Sequence, residues 1–344
     1  MSDRLTRLLG IEHPIVQGPF GGGMSAVALA ATVSAAGGLG SFGANHLPPD
    51  DITALVGELR SAVPAGLPFN VNLWVPHPGE RELRPSAADF ERLRPFYERL
   101  GLPVPEGYTP PPLFDDQIDA LLAAGPPVIS FVMGVPPARV IDEARRRGIV
   151  TLGTATTVDE AVALEQGGVD VVIASGSDAG GHRGAFLRPL AESLVGTFSL
   201  VPQVADAVRI PVLAAGGIAD RRGVTAALTL GADGVQIGTG FLATAESAAS
   251  PVHRAALAGP EARITVLTRL FSGRHARAIV NPLIRELAAA EDTVPAYPVQ
   301  NTLMRPLRAA GAARNDATYV NLWAGQAAPL SRPLPAADYL KSLI

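Results

Sequence analysis

Six histidines occur in this chain of 344 residues, and one stands in a setting suited to chemistry. His182 lies in the run Asp178-Ala179-Gly180-Gly181-His182-Arg183-Gly184, a loop almost stripped of side-chain bulk. Glycine admits positive φ and lets backbone approach a ligand where a Cβ would obstruct it. Histidine has an ordinary pKa of about 6.5, so near neutral pH it can take a proton, give one, or hold an anion. The apolar run 169–175 (VDVVIAS) leads straight into the loop. A strand, a glycine loop and a titratable ring in that order suit an α/β barrel presenting a reactive group beside a flat ligand. Asp178 and Arg183 are candidates to position the ring or tune its charge, with solvated loop residues as the alternative. His13, His46, His77, His253 and His275 lack this context and are read as structural.

Two further runs offer backbone rather than side chains. AAGGIAD (214–220), with Gly216 and Gly217, and QIGTGFL (236–242), with Gln236, Ile237, Gly238 and Thr239, each follow an apolar strand-like run and precede a helix-like one. Free N–H groups at such a junction, aided by the helix dipole, bind phosphate without needing a lysine. The alternative is that these glycines only make tight turns. Gly18-Pro19-Phe20, followed by three more glycines, can lay backbone against a planar ring, or can simply be a mobile loop. Asn70 and Asn72 share one face of a strand by period-2 alternation. Buried, they need partners, either a ligand edge or a core polar network.

The elements that must carry these groups are read from alternation. Eight strand-like runs (14–18, 38–43, 68–74, 127–133, 148–153, 169–175, 210–216 and 233–238) alternate with helix-like runs at 24–36, 50–60, 137–148, 157–168, 200–208 and 221–232. Such alternation argues for βαβ units and a parallel sheet. Eight units argue for a closed (β/α)₈ TIM barrel, with an open doubly wound sheet as the competitor. Thr157 and Glu160 have the spacing of a capping box. The Pro- and charge-rich stretch 76–114, with a helix near 86–100, reads as an insertion between barrel segments 1–75 and 115–245. Residues 246–300 read as helical and as part of a smaller, mainly helical lid. The segment 301–344 reads as a closing barrel helix and a tail.

Composition excludes several classes. The chain has no cysteine, which removes disulfides, thiolate catalysis and Cys-held metals. The net charge of −4 gives no basic field for nucleic acid or an anionic membrane. No apolar run approaches the roughly 18 residues of a membrane span, and the start lacks a secretory apolar region, so a cytoplasmic protein is expected. No metal motif and no G-x-S-x-G elbow occurs, and no metal is expected.

With these residues assembled, the chain resembles the nitronate monooxygenase (2-nitropropane dioxygenase-like) family, class I branch, nearly end to end. The segments are PIVQGPF (14–20), GGLGSFGA (37–44), FNVNLW (69–74), DAGGHRG (178–184), ADAVRIPVLAAGGIAD (205–220), TLGADGVQIGT (229–239), TRLFSGRHARAIVN (268–281), YPVQN (297–301) and LWAGQ (322–326). The resemblance implies an FMN-bearing TIM barrel with a small lid. It implies FMN contacts at Gly18, Pro19, Phe20, Asn70, Ser175, Gly180, Gly181, Gly216, Gly217, Gln236, Ile237, Gly238 and Thr239. It makes His182 the active-site histidine, acting as base or as anion anchor. The implied reaction is oxidation of an alkyl nitronate with O₂ to a carbonyl compound and nitrite. A flavin-dependent enoyl-thioester reductase using NAD(P)H, and a flavin-binding paralogue without turnover, are the alternatives. Expected partners are a small anionic substrate and O₂, with homodimerisation left open. Three positions depart from the family pattern: Ser175 stands where members carry a flavin-facing Gln, the shorter Asp178 stands where they carry Glu, and Val132 stands where close relatives carry a second imidazole.

Overall fold

Parallel strands buried on both faces read as continuous apolar runs, and the expected runs become such strands. The computed structural model describes residues 3–344. In chain order the strands are β1 (Ile15–Gln17), β2 (Gly40–Gly43), β3 (Phe69–Trp74), β4 (Val128–Val132), β5 (Val150–Ala155), β6 (Val171–Ser175), β7 (Gly181–His182), β8 (Val212–Ala215), β9 (Gly234–Ile237), β10 (Thr265–Thr268) and β11 (Ala276–Ile279). Eight of them form one parallel sheet in the order β1-β9-β8-β6-β5-β4-β3-β2. Its two ends meet: Val16 bridges Leu39, the Gln17 N–H donates to the Leu39 carbonyl at 2.9 Å, and the Leu39 N–H donates to the Ile15 carbonyl at 3.0 Å. This closure decides for a TIM barrel over an open sheet.

The N-terminal end of the barrel is sealed. Leu5 and Leu9 of helix Arg4–Leu9 share an apolar cluster with Val16, Leu39, Leu152, Val171 and Leu213. The C-terminal ends of the strands therefore face the only end left for a ligand, as this architecture requires. The outer helices follow the expected runs closely, for example Pro49–Ala62 and Ala138–Arg146. Thr157 caps its helix as expected, accepting from the Glu160 N–H at 3.3 Å. The Glu160 carboxylate, however, turns to the Thr156 N–H and to the N–H groups of Phe186 and Leu187, so it ties the β7 loop to the barrel instead of completing the box. Among the described residues no helix is long and apolar enough to cross a membrane.

A second core lies above the barrel mouth. Leu93, Phe96 and Tyr97 of helix Ala87–Arg99 pack with Phe271, Ala276, Leu283, Leu303, Met304, Leu307 and Trp323. The Tyr97 hydroxyl joins the two halves by donating to the Leu303 carbonyl at 2.5 Å. Two expectations are corrected here. Residues 246–300 are not all helical: β10 and β11 pair antiparallel, and β7 adds to the far edge of β11. β-Branched Thr265, Val266, Thr268 and Ile279 favour the strands, and Gly273 at φ 81° makes the turn between them. The expected closing helix near 301 is Val299–Ala313, whose apolar stripe belongs to the upper core. Helix Ala336–Ser342 packs beside Val27–Ala35 instead, and its Tyr339 hydroxyl donates to the Ala219 carbonyl at 2.8 Å.

Gly40 of β2 sits against the backbone of helix Val27–Ala35, where a Cβ would overlap the Ala30 carbonyl. Neither backbone can yield cheaply. Gly40→Ala is expected to destabilise the protein by about 1–3 kcal/mol, the usual scale of overpacking, as read from the midpoint of urea unfolding.

Candidate active site

The C-terminal ends of the barrel strands open into a cavity of about 1020 Å³ roofed by the upper core. Gly18, Pro19, Phe20, Ser175, Gly180, Gly181, His182, Gly216, Gly217, Gln236, Gly238 and Thr239 all line it. Asn70 and Ile237 do not. Asn70 is fully buried one layer down, with its amide donating to the hydroxyls of Ser41 (3.1 Å) and Ser130 (2.9 Å). Asn72, two residues nearer the mouth, is the asparagine that reaches the cavity. Alternation gives the face of a strand but not the depth along it.

One wall of the cavity is backbone. Gly216 and Gly217 adopt φ 103° and 70°, beyond easy reach of other residues. Among the described residues no acceptor within the chain engages the N–H groups of Gly217 and Gly238. The buried Gln236 Oε1 likewise has no hydrogen-bond partner. A buried polar atom left unmatched is costly, so these donors and this acceptor are suited to a ligand that supplies the complement.

His182 is held from several sides. As part of β7 it pairs with Ala276 of β11, and the next residue's N–H donates to the His275 carbonyl at 2.9 Å. Its ring meets Trp74 edge-on at 4.8 Å and Trp323 at 5.3 Å. Its Nε2 lies 2.8 Å from the Ser272 hydroxyl. Burial, and then the positive charge of Arg308, push its pKa down to about 3, so the ring is neutral near pH 7. Neither charged neighbour in the sequence touches it. Asp178 accepts from the Thr197 N–H at 2.7 Å, at the start of helix Thr197–Ala207. Arg183 turns beneath the loop and donates to the carbonyls of Gly176 (2.6 Å) and Ser175 (3.0 Å).

The roof is cationic. The Arg274 guanidinium pairs with Glu80 and lies over the rings of Tyr297 (4.7 Å) and Trp74 (5.7 Å). Arg308 lines the cavity and donates to the Phe271 carbonyl (3.3 Å) and to the backbone and side-chain oxygens of Asn301 (3.1 and 3.0 Å). Among the described residues it has no carboxylate partner, and burial lowers its pKa to about 10.

Comparison with known proteins agrees with this architecture. The sequence matches the nitronate monooxygenase family over residues 2–344. A probable nitronate monooxygenase of Staphylococcus saprophyticus is 39% identical over 349 residues, covering 100% of this chain and 97% of that protein. The chain belongs to the nitronate monooxygenase family. A Staphylococcus aureus relative of the same description is also 39% identical, covering 99% and 96% of the two chains. The crystal structure of a nitroalkane oxidase from Streptomyces ansochromogenes superposes with a TM-score of 0.90 at 40% identity, covering 99% and 96%. FabK from Thermotoga maritima superposes at 0.75 with 30% identity, covering 100% and 95%.

Family membership makes the chain an oxidoreductase that uses a flavin. The cavity fits such a group: the free N–H groups suit an anionic tail, and the orphaned Gln236 oxygen suits a ring N–H. Of the three positions read from the sequence as departures from the family pattern, Ser175 and Val132 line the cavity and Asp178 does not. Beside Val132, Met133 takes a positive φ of 76°, rare for a residue with a side chain. Its carbonyl accepts from His77 Nε2 at 3.0 Å. Sequence reasoning overlooked several participants. Trp74, Tyr297 and Trp323 lay within quoted family segments without an assigned task. His46 and His253 were read as structural, yet both line the cavity. Ser272 lies within the segment 268–281 that carries the family resemblance, with no task assigned to it there, and Arg308 carried no local signal.

His253, whose Nε2 donates to the Trp323 carbonyl at 3.0 Å, is also pushed down by burial, to about 4. His182 and His253 thus have folded-state values below the unfolded value near 6.5. Their stabilising contribution is complete above pH 6.5 and is lost as pH falls from 6.5 toward 4, because only the unfolded chain takes up the protons. Each is expected to remove about 1.4 kcal/mol per pH unit in that window. Urea unfolding at pH 7, 6 and 5 should show the decline, and His253→Asn should reduce its slope by about 1.4 kcal/mol per pH unit, one histidine's share.

Proposed function

We propose that this chain binds FMN in the cavity and oxidises alkyl nitronate anions with O₂, giving a carbonyl compound and nitrite. The observation that carries the reading is the pairing of a neutral His182 with a cavity-lining Arg308 that lacks a carboxylate partner. A buried cation with no counter-ion favours an anionic ligand. Gly216, Gly217, Gly238 and Thr239 hold the phosphate through backbone N–H groups. Gly18, Pro19, Phe20, Ser175, Gly180, Gly181 and Gln236 border the ring. Bound there, the flavin supplies a two-electron carrier between substrate and O₂.

The protein's own residues then divide the work. Arg308 attracts and orients the nitro oxygens of the anion. His182, neutral at working pH, accepts the α-proton when the neutral nitroalkane enters in place of its nitronate, and is not a cationic anchor. Trp74, Tyr297 and Trp323 shield the reacting carbon from water. The fold resemblance to FabK keeps an enoyl-thioester reductase as the rival, which the same experiment separates.

Holoprotein mixed without air with propionate 3-nitronate should lose its flavin absorption band, whereas NADPH should leave the band intact. The reverse pattern would establish the reductase reading, and a yellow protein reduced by neither would be a binding paralogue. With the neutral nitroalkane as substrate, His182→Asn should lower turnover by roughly 10²–10⁴-fold, the range for loss of a general base. Arg308→Met should raise KM for the nitronate by about 10–100-fold, the value of a charge-assisted hydrogen bond. With wild-type protein, kcat on preformed nitronate should show no titration attributable to His182 between pH 6 and 8.

A further inference from the structure

Ser272 occupies a position that touches no part of the cavity surface, yet its hydroxyl is the one polar partner of the His182 ring among the described residues. It is fully buried at the turn between β10 and β11. The turn is rigid: the N–H groups of Ser272 and Gly273 both donate to the Arg269 carbonyl, at 3.2 and 2.7 Å, and a Cβ on Gly273 would strike the backbone at Tyr297.

The hydroxyl has a single proton, and two neighbours compete for it. The Arg274 carbonyl lies 2.9 Å away and can only accept. Among the described residues no other donor serves that carbonyl. His182 Nε2, at 2.8 Å, can accept or donate. If Ser272 donated to Nε2, the carbonyl would be left unmatched in a buried turn. If it donates to the carbonyl, every group is satisfied, provided that Nε2 carries the ring proton. The Arg274 N–H, at 3.3 Å, also donates to the Ser272 oxygen, which fills the remaining role of that atom.

We infer that Ser272 is a positioning residue: it holds His182 in the Nε2–H tautomer and so leaves the Nδ1 lone pair as the atom that meets the substrate. No protein group bonds Nδ1 among the described residues. The edge contacts of Trp74 and Trp323 hold the ring against a flip about χ2, which would put Cδ2 in the place of Nδ1 and Cε1 in the place of Nε2. The inference deepens the proposed function and rests on its assignment of His182 as proton acceptor, but its first test does not use turnover.

In ¹⁵N NMR of the holoprotein with labelled histidine at pH 7, His182 should show a protonated Nε2 and an unprotonated Nδ1. A protonated Nδ1 would overturn the inference without any mutation. Ser272→Ala should yield exchange-broadened or mixed ring signals and lower kcat by about 10–100-fold, the scale of a misplaced reacting group, with KM within threefold. Ser272→Thr, which keeps the hydroxyl, should restore both the tautomer and most of kcat. Wild-type signals and rates in the Ala variant, or no recovery with Thr, would overturn it. If the tautomer is as stated but His182→Asn retains activity, the base role fails and the Ser272 assignment stands.

Discussion

Two residues of strand, Gly181 and His182, fasten the lid to the barrel. They leave the sixth barrel strand's loop and pair with Arg277 and Ala276 of β11, in the sheet that roofs the cavity. The surrounding loop is stitched down by long-range bonds: Arg277 Nε donates to the Ser177 carbonyl at 3.0 Å, and the Gln326 N–H donates to the Asp178 carbonyl at 2.9 Å. Gly180 is needed for the same reason, since a Cβ there would collide with the backbone at Ala324 and Gly325. The reactive ring is thus placed jointly by barrel and lid, and its geometry depends on their union. A histidine on a free barrel loop would sample many orientations, and catalysis tolerates little of that.

Electrostatics follow from this enclosure. Three arginines near the ring are stripped of water, and each meets the cost differently. Arg183 spends its donors on backbone carbonyls under the loop. Arg274 uses Glu80 and two aromatic faces. Arg308 has only neutral oxygens. The result is a cavity with surplus positive charge, in which a further proton on His182 is disfavoured. One arrangement therefore accounts for both a neutral ring and a buried positive charge that no carboxylate offsets among the described residues.

The departures at Val132 and Ser175 fit within this frame. At the end of β4, Met133 adopts a left-handed conformation, and its carbonyl accepts from His77 outside the cavity. The cavity wall at Val132 is apolar.

Much of this was legible from local pattern. Eight apolar runs separated by helix-length stretches specify βα units, because strand burial and helix amphipathicity are written in short-range periodicity; the closure of the sheet is decided by the bridge between Val16 and Leu39. The glycine clusters at 180–181 and 216–217 were readable too, since a missing Cβ is a statement about local backbone. His182 stood out by that same context. What the sequence left undecided depends on contacts between distant segments. Depth along β3, which separates Asn72 from Asn70, is set by where the barrel ends. The strands within 246–300 exist because β11 finds an edge partner in β7, some 90 residues earlier by the separation of Ser272 from His182. Helix Val299–Ala313 joins the lid because its apolar stripe matches the insertion's, not because of its own propensity. Ser272 and Arg308 have ordinary surroundings in sequence and acquire their roles only through proximity. The sequence by itself determined the βα units, the glycine walls and the histidine that follows the sixth strand. The tertiary structure alone decided that ring's protonation, its orientation and the charge that faces it, because hydrogen bonding and desolvation act through space rather than along the chain.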